Sequence, residues 1–407
     1  MIQKAKRWVS ISLFNILLVS FLGVILRYKI AYSLPFIDQK HLLHGHSHFA
    51  FSGWIVQCIM ALMIHQLSQK TKIDYFSKYN FLLWGNLICS YGMLISFPIQ
   101  GYGFYSINFS TLSILNGYIF IYQFWKDLKK SKLQLISFLW FKAGFIFNIL
   151  SSFGAFSLAY LMATLNTNQI AYLMSVYGFL HFQYNGWFFF ASMGLLTGLL
   201  EESIFNKKTL KNVFWLFCIA CIPAYLLSTL WLNLPIALYL LVILASVSQC
   251  YAWYLFLTAL FQSQAVGLFN KNSLSKWMFI LSAIALSIKL ILQVLSTIPS
   301  LSQISFGFRP IVIGYLHLVL LGVISIFLIG FSFETNLIST NKKVKIGIGI
   351  FVAGVIINEL LLMTQGLAAM QYTGIAFINE LLLICALVMF IGLALLNYGK
   401  HYVREKK

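Results

Sequence analysis

Twelve long apolar runs, each about the length of a bilayer-spanning helix, most constrain what this chain can fold into. A hydrocarbon core of ~30 Å needs about 20 helical residues to cross it. The runs are too long and too continuously apolar for barrel strands, and in lipid a helix satisfies its own backbone N–H and C=O groups. They cover residues 8–26, 44–66, 79–98, 107–125, 134–160, 171–199, 211–231, 235–262, 276–297, 310–331, 345–365 and 375–398.

The composition excludes several classes of protein. Of the 407 residues, 60% are apolar and only 9% are charged, against about 25% charged in an ordinary soluble domain. A soluble enzyme, a nucleic-acid-binding protein and a disordered chain are therefore excluded. The sequence predicts an all-α polytopic membrane protein of about twelve transmembrane helices, forming one integral membrane domain over residues 1–407 within the lipid bilayer.

The basic residues predict the orientation of the chain. The net charge of +19 does not indicate nucleic acid, because these residues are spread over short connecting segments. Most lie in the N-terminal segment, in every second loop and in the C-terminal segment; the intervening loops hold only Arg27, Lys29, Lys40 and Arg309. Since cytoplasmic loops carry the excess of Lys and Arg, we expect a cell (inner) membrane protein with both termini in the cytoplasm.

Three histidines recur at intervals of about a third of the chain. His48, His181 and His317 fall in runs 2, 6 and 10, and each is followed by a bulky apolar residue and, five residues on, by glycine. An internal repeat of this kind predicts three four-helix arcs of one design. Their approximate limits are residues 1–130, 131–270 and 271–407.

These histidines are candidate ligands. The direction of each run and the distance of each histidine from its outer end place all three in the outer half of the membrane. A polar side chain there is energetically costly, so it indicates a functional role. Imidazole ligates metals and haem iron, so His48, His181 and His317 could share a metal or haem. The alternative is that each histidine only forms hydrogen bonds between helices.

Other charged residues are expected near the same depth. Lys289 lies in run 9, Glu359 in run 11, and Arg309 at the outer mouth of run 10. Lys289 and Glu359 could pair, because burying either charge alone is expensive. Arg309 and Lys289 would alternatively suit the propionates of a haem.

Twelve spans, cytoplasmic termini and histidines on spans 2, 6 and 10 together resemble subunit I of the haem-copper oxidases. The resemblance is architectural across the whole chain and implies three arcs of four helices. In that family a span-2 histidine and the second histidine of a His-x-His on span 10 hold a low-spin haem. The resemblance implies His317 as one ligand, with Tyr315 at the first motif position. It implies His48 as the other ligand, with His44 and His46 as alternatives.

The copper site of that family is incomplete in this sequence. The family holds copper with one histidine on span 6, which His181 resembles, and with a histidine pair on span 7, where this chain has none. Asn185 stands where many oxidases have a tyrosine.

The resemblance thus implies haem b, with copper possible. It implies electron transfer, or handling of a diatomic gas or metal, with a redox partner subunit or cytochrome. If the protein is an enzyme, it is an oxidoreductase.

Two other functions stay open. A transporter for a metal ion or small solute could use the histidine-rich outer mouth at residues 41–48, with His181 and His317 along the path. A membrane hydrolase could use a three-histidine zinc site to activate water, with Glu359 as the only candidate base.

Overall fold

The structure is a computed structural model that describes residues 1–133, 135–200, 206–263, 273–302 and 308–402. Across these ranges the chain forms helices and short connections, without strands. A long helical segment lies at each predicted run. The segments are α1 (Ile2–Ala31), α2 (Gln39–Thr71), α3 (Phe76–Gln100), α4 (Phe104–Lys130), α5 (Ile136–Ala163), α6 (169–200), α7 (Lys207–Cys221 and Pro223–Thr229), α8 (Ile236–Gln262), α9 (Ser273–Leu295), α10 (Arg309–Glu334), α11 (Lys342–Met370) and α12 (Ile378–Tyr402).

The protein is an all-α, multi-pass membrane protein, as predicted, but the count of twelve spans is not confirmed. Within the described residues, nine helices are long and apolar enough to cross a bilayer, or ten if the two pieces of α7 form one span. Helices α4 and α6 are not among them. Both carry amide side chains along their length, such as Asn116 and Asn185, which lower their mean hydropathy.

The chain divides into two compact units. Unit 1 consists of Met1–Ser131 and Leu328–Lys407, and so contains α1 to α4, the end of α10, α11 and α12. In it α1 packs against α2 and α12, α3 packs against α2 and α4, and α11 packs along α12. A Cβ added at Gly347 of α11 would lie 2.6 Å from the backbone nitrogen of Leu396 of α12. Small residues therefore allow these two helix backbones to approach closely.

Unit 2 consists of Lys132–Phe327 and contains α5 to α9 and most of α10. Here α5 packs against α6 and α7, α8 packs against α7 and α9, and α9 packs against α10. Its interior is rich in aromatic rings. The fully buried Trp140 contacts Phe190 and Phe214, with ring centroids 5.1 Å away in each case.

Candidate functional site

Each of the three histidine-bearing helices changes from α-helical to π-helical geometry directly after its histidine. The π-helical turns are Ala50–Val56 in α2, Phe182–Phe188 in α6 and Leu318–Ser325 in α10. They follow His48, His181 and His317 within one or two residues. Such turns are rare and frequently occur at functional sites. Their recurrence at matching places supports one local design for the three segments, although the three four-helix arcs stay a prediction.

Polar side chains from neighbouring helices bond to carbonyls of the π turns in α2 and α10. Asn15 of α1 donates to the carbonyl of Gly53 at 2.6 Å, and Asn86 of α3 donates to that of Ser52 at 3.0 Å. Ser282 of α9 donates to the carbonyl of Val323 at 2.8 Å. Because an unsatisfied carbonyl in lipid costs several kcal/mol, these bonds stabilise the altered turns. These donors were not predicted from the sequence, where their only signal is a polar residue within an apolar run.

The glycine five residues after each histidine lies inside each π turn, and it serves two kinds of contact. At Gly186 an added Cβ would lie 2.5 Å from the Cβ of Phe147 on α5, and at Gly322 it would lie 3.2 Å from the Cβ of Ala285 on α9. Both glycines therefore permit close approach of a neighbouring helix. At Gly53 the added atom would instead meet the ring of Phe49 in the same helix, at 2.6 Å.

In unit 1, His44 and His48 lie beside Phe97 and Tyr102. His48 stacks on Phe97 with centroids 4.3 Å apart, and its Nε2 lies 3.3 Å from the Tyr102 hydroxyl. The His44 ring contacts Tyr102 edge-on at 4.6 Å. The Nε2 of His44 is buried and has no hydrogen-bond partner among the described residues. A buried polar atom of this kind calls for an explanation, and a bound ligand is one.

A glycine turn places Tyr102 on these histidines. Gly101 ends α3 with a φ of +59°, and an added Cβ would lie 2.5 Å from Nε2 of His41. Only glycine suits both this left-handed backbone and this space. Neighbouring His46 faces elsewhere, because its Nδ1 donates to the carbonyl of Val19 on α1 at 3.1 Å.

The helix that carries these histidines begins at an acidic cap. The Asp38 carboxylate accepts the backbone N–H of His41 at 2.7 Å, as is usual for an N-cap residue. That hydrogen bond lowers the pKa of Asp38 below its ordinary value. In unit 2 the corresponding cap is neutral: the Asn168 side chain accepts the N–H of Ala171 at 3.0 Å at the start of α6.

In unit 2, His181 is buried with both ring nitrogens hydrogen-bonded. Nε2 donates to the carbonyl of Cys221 at 2.9 Å, and the amide of Asn185 donates to Nδ1 at 3.1 Å. In this arrangement His181 can ligate a metal only after one of these bonds breaks. The predicted metal role of His181 stays a prediction.

The acceptor for His181 arises from a break in α7. The helix bends by 43° between its α-helical and 3-10 pieces, next to Pro223. Beyond the break the N–H of Tyr225 bonds to the carbonyl of Ile222 rather than to that of Cys221. The carbonyl of Cys221 therefore needs another donor, and His181 provides it.

His317 has the tautomer of a typical ligand histidine. Its Nδ1 donates to the carbonyl of Ile313, one turn earlier, at 2.8 Å. In a neutral ring the lone pair is then on Nε2, as in most metal-bound histidines. Arg309 is exposed as the first residue of α10. Tyr315 contacts Tyr184 of α6 with ring centroids 6.4 Å apart, so the π-turn regions of α6 and α10 meet within unit 2.

Lys289 on α9 lines a narrow cavity in unit 2 and is only 6% exposed. It has no hydrogen bond or ion pair with any described residue. The other polar lining residues are Asn185 of α6 and Gln249 of α8, and the remainder are apolar: Phe189, Phe190, Phe217 and Leu286. Glu359 lies in unit 1, where the amide of Asn358 donates to its carboxylate at 3.2 Å. Pairing between Lys289 and Glu359 therefore stays a prediction.

The candidate residues are distributed over both units: His44 and His48 in unit 1, and His181, Lys289, Arg309 and His317 in unit 2. In the part of the chain that the structure describes, no three His, Cys, Asp or Glu side chains form a group that could hold a metal ion. A common centre of His48, His181 and His317 stays a prediction.

No known family model matches the sequence, and no curated protein matches it. The resemblance to the haem-copper oxidases therefore rests on the order of the helices and the placement of the histidines.

Proposed function

We propose that this protein binds a b-type haem through His317 and one histidine of α2, and that it transfers electrons within the cell membrane. The observation that carries the proposal is the tautomer of His317, whose Nδ1 donates to Ile313 and leaves the lone pair on Nε2. His317 and the histidine of α2 would occupy both axial positions of a haem iron, so a haem held there would supply one-electron transfer rather than oxygen binding.

Two histidines compete as the ligand from α2. The threefold repeat favours His48, whereas the buried Nε2 of His44, which lacks a hydrogen-bond partner among the described residues, favours His44. Phe97 and Tyr102 pack against both rings and restrict their motion. Either imidazole could be the second haem ligand, and we place His48 first.

The remaining parts of the proposal concern charge and orientation. Arg309 begins α10 eight residues before His317, about 12 Å along the helix, and its exposed guanidinium would pair with a haem propionate. Both termini would be cytoplasmic, and a cytochrome or partner subunit would exchange electrons at the outer surface. The space beside Lys289 is too small for the edge of a haem, since it is about as large as a single water molecule.

A reduced-minus-oxidised absorption spectrum of the purified protein tests the proposal. The wild-type protein should show a haem Soret band. His317→Ala should lose it, and either His48→Ala or His44→Ala should lose it as well, which identifies the second ligand. His46→Ala is the matched control and should retain the band, because His46 bonds to Val19 on α1. A wild-type protein without haem, or a His317→Ala variant that keeps it, would overturn the proposal.

A metal transporter is the second candidate, favoured by the buried Nε2 of His44 next to His48 at the start of α2. Uptake of zinc or copper into proteoliposomes, and its loss in His44→Ala, would support transport. Haem in the purified protein together with an absence of metal flux would reject it.

A further inference from the structure

The cavity beside Lys289 is lined by a lysine and a glutamine that lack partners among the described residues. Lys289 and Gln249 are 6% and 4% exposed, and both line it. The Oε1 of Gln249 is buried without a hydrogen-bond partner. None of the seven lining residues is an Asp or a Glu. A buried ammonium therefore faces a space with amide groups and aromatic walls.

An unpaired ammonium in such surroundings is strongly destabilising, because the charge loses its water and gains no counter-charge. Lysines near the ends of membrane helices often extend to the interface. Lys289 is instead buried, and its side chain lines a narrow cavity. The chain also has few carboxylates to offer, with 9 Asp and Glu against 28 Lys and Arg. The described residues of unit 2 contain no Asp or Glu, so an ion bound from solution can supply the counter-charge.

The size and polarity of the cavity restrict which ion could supply that counter-charge. The space is about as large as one water molecule, which excludes phosphate, sulfate and organic acids. A neutral water could bond to Gln249 but would leave the lysine charge unbalanced. A monatomic anion balances the charge and can accept N–H donors from Lys289 and from the amide of Gln249, whose O and N positions are interchangeable in such a site.

We propose that Lys289 and Gln249 form a binding site for a single monatomic anion, with chloride as the abundant ion of the right charge. The site is next to the histidine of unit 2, because Asn185 both lines the cavity and donates to Nδ1 of His181. The bound ion stabilises unit 2 by neutralising the lysine. This inference does not depend on haem.

Thermal unfolding of the purified full-length protein in detergent tests the site. Protein exchanged into sodium gluconate is titrated with sodium chloride at constant ionic strength. A ligand that binds only the folded state raises Tm in a saturable way, and we expect a rise of ~3 °C or more. Sodium bromide should act as chloride does. Equal Tm values in chloride and in gluconate would overturn the proposal.

Four variants sharpen the test. Lys289→Met should abolish the chloride-dependent rise in Tm. Lys142→Met, which removes a lysine of α5 in the same unit, should keep that rise. Gln249→Glu supplies an internal negative charge, so it should raise Tm in gluconate and make Tm independent of chloride. His317→Ala should respond to chloride as the wild-type protein does, which separates a free anion from a haem propionate. A chloride response retained by Lys289→Met or by Gln249→Glu contradicts the site, and its loss in His317→Ala contradicts a free anion.

Discussion

The histidines of α2 and α6 occupy matching places before a π turn, yet their hydrogen bonding differs. His181 in α6 has a partner for each ring nitrogen, the carbonyl of Cys221 and the amide of Asn185. His44 in α2 has a buried Nε2 without a partner among the described residues, and His48 has a long 3.3 Å contact with a tyrosine hydroxyl. One design has therefore produced a histidine with both ring nitrogens hydrogen-bonded and another whose Nε2 has no partner among the described residues.

The difference shows that the position of a histidine before a π turn does not determine how its ring nitrogens are hydrogen-bonded. In a low-dielectric interior, a satisfied polar group rigidifies the fold, whereas an unsatisfied one is costly unless something binds to it. The bend of α7 provides the acceptor that holds His181. At the start of α2 the neighbouring groups are aromatic rings, which confine the histidines without filling their hydrogen-bonding capacity.

The largest expected effect on the free energy of unfolding comes from replacing the His181 imidazole by an aromatic ring without nitrogens. His181→Phe leaves the buried carbonyl of Cys221 and the amide of Asn185 without partners. We expect a loss of about 3 kcal/mol, since each unsatisfied buried group costs about 1–3 kcal/mol. His44→Phe, compared with wild type in haem-free protein, is the matched control. It removes an atom that already lacks a partner, so we expect stability within about 1 kcal/mol of wild type.

Chemical denaturation in mixed micelles, or the shift in Tm, measures both variants. Equal losses at the two positions would show that the hydrogen bonds of His181 add little and would remove the contrast between the units. A large loss only in His44→Phe would reverse the assignment, because His44 would then be the structural histidine.

The second expected effect concerns the glycines of the π turns. Gly186→Ala places a Cβ 2.5 Å from the Cβ of Phe147, an atom fixed by its own backbone, so α5 and α6 must move apart. We expect a loss of about 2 kcal/mol. Gly322→Ala, at 3.2 Å from Ala285, should lose less. Gly349→Ala is the control: it meets nothing within 4 Å and should gain up to about 1 kcal/mol from helix propensity. Tm values ranked otherwise would contradict the close approach at Gly186.

Much of the helical layout follows from the sequence, because the apolar runs and the backbone's need for internal hydrogen bonds leave few alternatives. The positions of the repeated histidines and glycines also predicted where the three matching segments lie. The π turns were not predictable; in α2 and α10 their carbonyls accept hydrogen bonds from Asn15, Asn86 and Ser282 on other helices. The role of Tyr102 depends on the backbone of Gly101, and the partners of His181 depend on a bend in another helix.

The last expected effect is a difference in acid sensitivity between the two histidine helices. Asp38 caps α2 with a carboxylate whose pKa is lowered by the N–H of His41, whereas Asn168 caps α6 with a neutral amide. A lowered pKa in the folded state means that the carboxylate stabilises the fold above its unfolded pKa of about 3.9. That contribution disappears as the pH falls below this value through the folded pKa.

Asp38→Asn should therefore flatten the dependence of Tm on pH below about pH 5, and Asn168→Asp should steepen it. The measurement is the Tm difference between each variant and wild type from pH 3 to pH 7. A flat difference for Asp38→Asn would mean that the charge of Asp38 does not stabilise the start of α2.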